Sequence, residues 1–438
     1  MKGRGSHIYM VSNRPASRYP SFESFFVSTC SARLPKNGEA YLWRSRNILV
    51  AEAALGVSKS RSACGARSFR AAFGLWSRES VSIIPQSGNF VNPLKFRQIT
   101  AKMGSISVDS TTSDDYPSKV PKPGVWCPAV TFFNPATDEL DLHAQAKYYS
   151  YLSRSGLTGL VILGTNAETL LLTREERAAL LATARKAVGP DYPIMAGVSG
   201  HSTKQVLEYI ADAYNAGANY ALVLPAAYFG KQTTPSVITR FYDEVAEKSS
   251  LPIVIYNFPA VCNGVDLYSE TITTIAKKHK NVVGVKLTCA SVGKIVRLAA
   301  SLKPEEFSTF GGQSDFLIGG LSSGSAGCIA AFANIFPGTI ARIYDLYKAG
   351  RYEEALKLHQ QAALAENPVK AGIAAVKYGV SLFSAKAAGV ENAEEFLQPR
   401  RPYEALSDAV KKKVKEALTA VNEVELKLQS TKGIALKT

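Results

Sequence analysis

The sequence predicts an α/β protein. A closed (β/α)8 TIM barrel is expected over residues 119–350, a C-terminal helical subdomain over 351–425 with a tail to 438, and a largely disordered basic leader over 1–118. Three observations lead there. Eight short apolar runs follow one another from Gly124 onward, each trailed by residues of helical spacing. After the eighth unit come more helical segments than a barrel needs, and the positive charge of the chain is concentrated at its front.

Residues 1–103 hold 16 Lys and Arg against 4 Glu, a net of +12, so only about +3 of the formal +15 belongs to the remaining chain. This leader is rich in Ser and Arg and lacks sustained periodicity, so it is not expected to fold alone. Two origins fit it. One is a mitochondrial targeting segment, with residues 64–78 as a short basic amphipathic helix; the other is a start of translation at Met103. A nucleic-acid-binding or membrane-binding arm fits less well, because the aromatic residues are not regularly interleaved with the basic ones. The expected location is therefore mitochondrial or cytoplasmic, with no nucleic-acid partner.

The apolar runs are 125–133, 159–164, 193–198, 220–225, 252–258, 282–287, 307–312 and 325–332. Near-continuous apolar strands joined by helices imply a parallel sheet covered by those helices. Eight such units suggest a closed barrel, with a doubly wound open sheet as the alternative. The helical stretch 173–188 opens with Thr173 and Glu176 at capping-box spacing, and 202–216 opens with a Ser cap. Beyond the eighth helix, near 336–349, further helices are expected at 352–366, 369–378 and 406–424.

Composition narrows the chemistry. The six cysteines show no CxxC pairing, which fits a reducing compartment. The five histidines have neither HxH nor HExxH spacing, so no transition-metal site is expected. No apolar run approaches the roughly 18–20 residues of a membrane helix.

In a barrel the reactive groups gather at the C-terminal ends of the strands. The second run ends in Gly164-Thr165-Asn166-Ala167-Glu168, the fifth in Tyr256-Asn257-Phe258-Pro259, and the sixth in Gly284-Val285-Lys286-Leu287-Thr288. Lys286 is the odd residue, since an ammonium inside an apolar run is costly to bury, and burial favours the free amine that attacks carbonyls. A strand-end lysine snorkelling to solvent is the alternative. Tyr256 can relay a proton to a carbonyl oxygen, or be a core tyrosine with a satisfied hydroxyl. The Thr165-Asn166 turn can hold a carboxylate, or be an ordinary βα turn. Gly311-Gly312 and the 320–327 stretch lack the Lys-Ser/Thr of a phosphate cradle and read as tight backbone around a ligand, or as plain structure.

In order and spacing, these motifs resemble the dihydrodipicolinate synthase / N-acetylneuraminate lyase superfamily over roughly residues 121–425. GTNAE at 164–168 looks like its carboxylate loop, YNFP at 256–259 like its tyrosine motif and GVKLT at 284–288 like its Schiff-base lysine motif. The resemblance implies a class I aldolase, a carbon–carbon lyase acting on a small 2-oxo acid and an aldehyde, with no cofactor and a homo-oligomeric, commonly tetrameric, assembly. It makes Lys286 the imine-forming nucleophile, Tyr256 the acid/base, Thr165 and Asn166 the carboxylate clamp, and Gly312 and the Ile329 backbone further contacts of the pyruvyl group. Departures limit the substrate. Residues 260–264 supply no arginine after the tyrosine motif and Leu287 replaces the usual acidic residue, which argues against lysine biosynthesis. Ala227 occupies the place of a second relay tyrosine, with Tyr228 one position late, and Ala167 replaces a loop glycine. The expected reaction is cleavage of a 4-hydroxy-2-oxo acid, as in 4-hydroxy-2-oxoglutarate aldolases. A 2-keto-3-deoxy sugar acid aldolase, the disfavoured dihydrodipicolinate synthase and a catalytically silent 2-oxo acid-binding member are the alternatives.

Overall fold

The computed structural model describes residues 120–431. The expected leader, its 64–78 helix and Met103 lie outside the described residues. Eight parallel strands close a barrel in chain order, β1 (Gly124–Pro128), β2 (Gly159–Ile162), β3 (Ile194–Gly197), β4 (Tyr220–Val223), β5 (Ile253–Asn257), β6 (Val282–Leu287), β7 (Ser308–Gly311) and β8 (Gly327–Ile329). Closure of β1 on β8, with Val125 opposite Cys328, removes the open-sheet alternative.

Each strand is buried on both faces, which is why its sequence is continuously apolar rather than alternating. Trp126, Met195, Tyr220, Val254 and Phe310 fill the barrel interior. Trp126 needs a glycine opposite it. A Cβ at Gly159 would lie 2.4 Å from the Trp126 ring. The outer strand faces pack on helices α1 (Leu142–Arg154), α2 (Arg174–Val188), α3 (Thr203–Asn215), α4 (Pro235–Lys248), α5 (Ser269–Lys278), α6 (Val292–Ser301), α7 (Leu317–Ser322) and α8 (Pro337–Lys348). The expected capping box is present: Glu176 N donates to Thr173 Oγ1 and Thr173 N to Glu176 Oε2 at 2.8 Å. Ser202 caps α3 as its position suggests.

Four expected spans differ. The runs 125–133 and 325–332 yield strands of only five and three residues, because the buried Asn334 side chain takes over from the sheet ladder. Its Oδ1 accepts from Val130 N and its Nδ2 donates to Pro128 O at 2.9 Å. The segment 369–378 is not one helix. A 3-10 turn, Asn367–Ala371, gives way at Gly372 (φ 147°) to α10 (Ile373–Leu382), which follows α9 (Tyr352–Glu366). Finally, the terminal helix runs Asp408–Thr431, well into the expected tail. Glu425 anchors it by accepting from Gly338 N and Thr339 N at the start of α8, and Gln429 by donating to Tyr151 Oη at 2.7 Å.

Candidate active site

The parallel register places Tyr256 of β5 beside Lys286 of β6, both buried at the C-terminal end of the barrel. Lys286 Nζ lies 4.3 Å from the centroid of the Tyr256 ring. The buried lysines Lys294 and Lys377 each have a carboxylate, from Asp266 and Glu168 respectively. Lys286 has the aromatic face instead, and among the described residues no carboxylate pairs with it. It does not snorkel to solvent. It opens onto a cavity of about 190 Å³ whose walls include Thr165, Asn166, Tyr256, Thr288 and Gly312.

Thr165 and Asn166 occupy the 3-10 turn Thr165–Ala167 that follows β2 directly. Thr165 Oγ1 is 3.3 Å from the Tyr256 hydroxyl, so the tyrosine has a proton-exchange partner at the cavity wall. The turn is pinned from below and from behind. Thr131 Oγ1 donates to Ala167 O at 2.9 Å, and Glu168, in the left-handed region at φ 57°, pairs with Lys377 and accepts from Arg400 N at 2.7 Å. Asn257, next to Tyr256, is locked by Asp266 and by Leu267 N, which fixes the strand end.

Gly312 is required by close approach. Its N–H donates to Leu287 O at 2.9 Å, and a Cβ there would stand 2.1 Å from Thr288 Oγ1. The Thr288 hydroxyl is buried without a protein partner and lines the cavity. Ile329 is brought to the barrel interior, packed with Trp126 and Tyr256, while Ala331 and Phe332 form the cavity wall after β8. Tyr228, the doubtful relay, lies elsewhere. It is 69% exposed, meets His201 and Phe229 edge-on, and is absent from the cavity wall.

One wall was not foreseen from the sequence. Glu366 at the end of α9 and Val369, Lys370 and Ile373 beyond it line the same cavity from the C-terminal helices. Burial pushes the Glu366 carboxyl up to about 7; Asp315 adds to the rise, while Ser314 and Lys370 oppose it. Ser314 Oγ donates to Glu366 Oε2 at 2.6 Å, joining this wall to the loop after Gly312. The only local signal is Asn367-Pro368, a break that lets the chain turn inward. Among the described residues no group of three His, Cys, Asp or Glu is placed to hold a metal ion, and no helix is long and apolar enough to cross a membrane.

The profile of the dihydrodipicolinate synthetase family matches residues 122–421. The chain belongs to this family. A Coccidioides immitis relative, provisionally named 4-hydroxy-2-oxoglutarate aldolase, mitochondrial, is 68% identical over 307 residues, covering 70% of this chain and 98% of the relative. L-threo-3-deoxy-hexylosonate aldolase of Hypocrea jecorina is 32% identical, covering 69% and 96%. Among solved structures, a Coccidioides immitis protein provisionally placed in the family superposes with a TM-score of 0.67 at 66% identity, covering 70% of this chain and 98% of that one. YagE of E. coli K12, solved in complex with pyruvate, superposes with a TM-score of 0.62 at 25% identity, covering 68% and 98%.

Proposed function

We propose that the protein is a class I aldolase that cleaves a 4-hydroxy-2-oxo acid, of the 4-hydroxy-2-oxoglutarate type, through an imine on Lys286. The observation that carries this is a buried lysine with no carboxylate partner, opening onto a cavity beside a tyrosine hydroxyl that is itself bonded to Thr165. The name of the Coccidioides immitis relative supports the substrate class.

The Lys286 amine adds to the C2 carbonyl and water leaves, giving a protonated imine. Thr165 and Asn166 hold the neighbouring carboxylate, and Gly312 admits the pyruvyl group closely. The C3–C4 bond then breaks. Its electron pair flows into the imine to form an enamine, while the C4 hydroxyl proton passes through the Tyr256 oxygen and the aldehyde departs. That proton returns to C3, and water hydrolyses the imine to release pyruvate and the free amine. The imine is the electron sink, so these steps call on no metal ion.

Incubation with pyruvate and borohydride, followed by peptide mass mapping, tests this reading. A reduced pyruvyl adduct is expected on Lys286 and none in Lys286→Ala. Pyruvate binding without an adduct would instead mark a catalytically silent family member. A 2-keto-3-deoxy sugar acid aldolase is the second reading, favoured by the Hypocrea jecorina relative; product analysis with glyoxylate or glyceraldehyde beside pyruvate separates the two.

The mitochondrial name of the Coccidioides immitis relative supports a mitochondrial location. A homo-oligomer, tetrameric by family resemblance, is supported by the exposed Leu170, Tyr228 and Phe229 on the loops after β2 and β4. Sedimentation as a monomer at micromolar concentration would remove that part.

A further inference from the structure

We infer that Lys370 is a specificity-determining residue: it receives a carboxylate at the distal end of the substrate, so that the aldehyde fragment released is an acid such as glyoxylate. This rests on the aldolase reading above and assigns the part of the cavity which that reading leaves open. With the 2-oxo acid bound to Lys286 and its carboxylate at Thr165 and Asn166, the rest of the substrate must run along the remaining wall. That wall carries Phe258, Phe332, Val369, Ile373 and Val376, with Thr288 and Gln313 as its neutral polar groups.

Among the described residues lining the cavity, the cations are Lys286 and Lys370, and Lys286 is committed to the imine. The arginine absent from residues 260–264 leaves no competing cation on the loop after β5. Lys370 is about one-third exposed, so it is within reach of an incoming anion. It pairs with Asp315 and donates to Gln313 Oε1 at 3.3 Å. An ammonium has three N–H groups, and these two partners occupy two of them.

Glu366 is the single carboxylate among the described lining residues. Burial raises its proton affinity, and it is turned toward Ser314, so its repulsion of a substrate anion is reduced. Asp315 is not on the cavity wall. A carboxylate arriving from the cavity side therefore meets the ammonium and not its partner. A neutral polyol tail can bond to Gln313 and to the unpartnered Thr288 hydroxyl but gains no charge-assisted pairing from Lys370.

The test compares kcat/KM for condensation of pyruvate with glyoxylate and with glyceraldehyde. In Lys370→Gln the glyoxylate-to-glyceraldehyde ratio is expected to fall by about 10- to 100-fold, the scale of one charge-assisted hydrogen bond. Asp315→Asn frees the ammonium and is expected to move the ratio the other way, which keeps the test decisive if Lys370→Gln does not fold. Ratios within twofold of the parent in the folded variants would overturn the assignment. Absence of a pyruvyl adduct on Lys286 in the parent protein would be a different failure, that of the aldolase reading itself.

Discussion

Replacing Lys377 by methionine strips one half of a wholly buried ion pair that ties the C-terminal helices to the Thr165-Asn166 turn. Lys377 Nζ is 2.7 Å from Glu168 Oε1 and 2.8 Å from Gln398 O, and both side chains are shut off from solvent. Burial pushes the ammonium down to about 8, while Glu168 pulls it back up. Methionine preserves the aliphatic volume and leaves Glu168 with the Arg400 N–H as its remaining strong partner. A stranded buried charge of this kind costs roughly 3–5 kcal/mol, a large share of the ~5–15 kcal/mol that holds a typical domain. Guanidinium unfolding of Lys377→Met should register that loss. Pyruvate trapping by borohydride should also slow, because Thr165 sits three residues before Glu168. Adding Glu168→Gln removes the stranded charge and keeps an acceptor for Arg400, so the double variant should regain more than half of the loss. A single variant within about 1 kcal/mol of the parent, well short of that range, or a double variant no better than the single, would refute the idea that this pair holds the turn.

Tyr256→Phe keeps the ring beside Lys286 Nζ and deletes the hydroxyl bonded to Thr165. It should lower kcat about 10²- to 10⁴-fold while the thermal midpoint stays near that of the parent. Gly312→Ala drives a Cβ to 2.6 Å from the Thr288 Cα, which backbone cannot yield cheaply; about 1–3 kcal/mol of stability should be lost, together with most of the trapping by pyruvate. Glu366 should make stability fall as pH rises. Its folded carboxyl is raised from 4.5 to about 7, so its contribution is complete below about pH 4.5 and is lost as pH climbs through 7. Comparing denaturation midpoints at pH 5 and pH 8 should give a shallower difference in Glu366→Gln than in the parent, and an unchanged difference would count against the burial of an ionisable Glu366.

By itself the sequence determined the barrel and pointed to the side chains at the ends of its second, fifth and sixth strands. Strand runs such as 282–287 are continuously apolar because both faces of a parallel barrel strand are buried, and that pattern needs no tertiary information to read. Lys286 stood out for the same reason, as a charge inside such a run, and the ends of the second and fifth runs followed from chain order. Only the tertiary structure decided the opposite wall. Glu366 and Lys370 lie in helical segments with ordinary local patterns, and they meet the cavity because the chain turns inward at Pro368 and Gly372, about 80 residues downstream of Lys286. Tyr228 illustrates the converse. Its position, one place late for a relay, left the role open, and only the packed structure showed the ring 69% exposed. Periodicity records which face of an element is buried; which distant side chain faces a given atom depends on how the elements pack, and a single sequence does not encode that in any local signal.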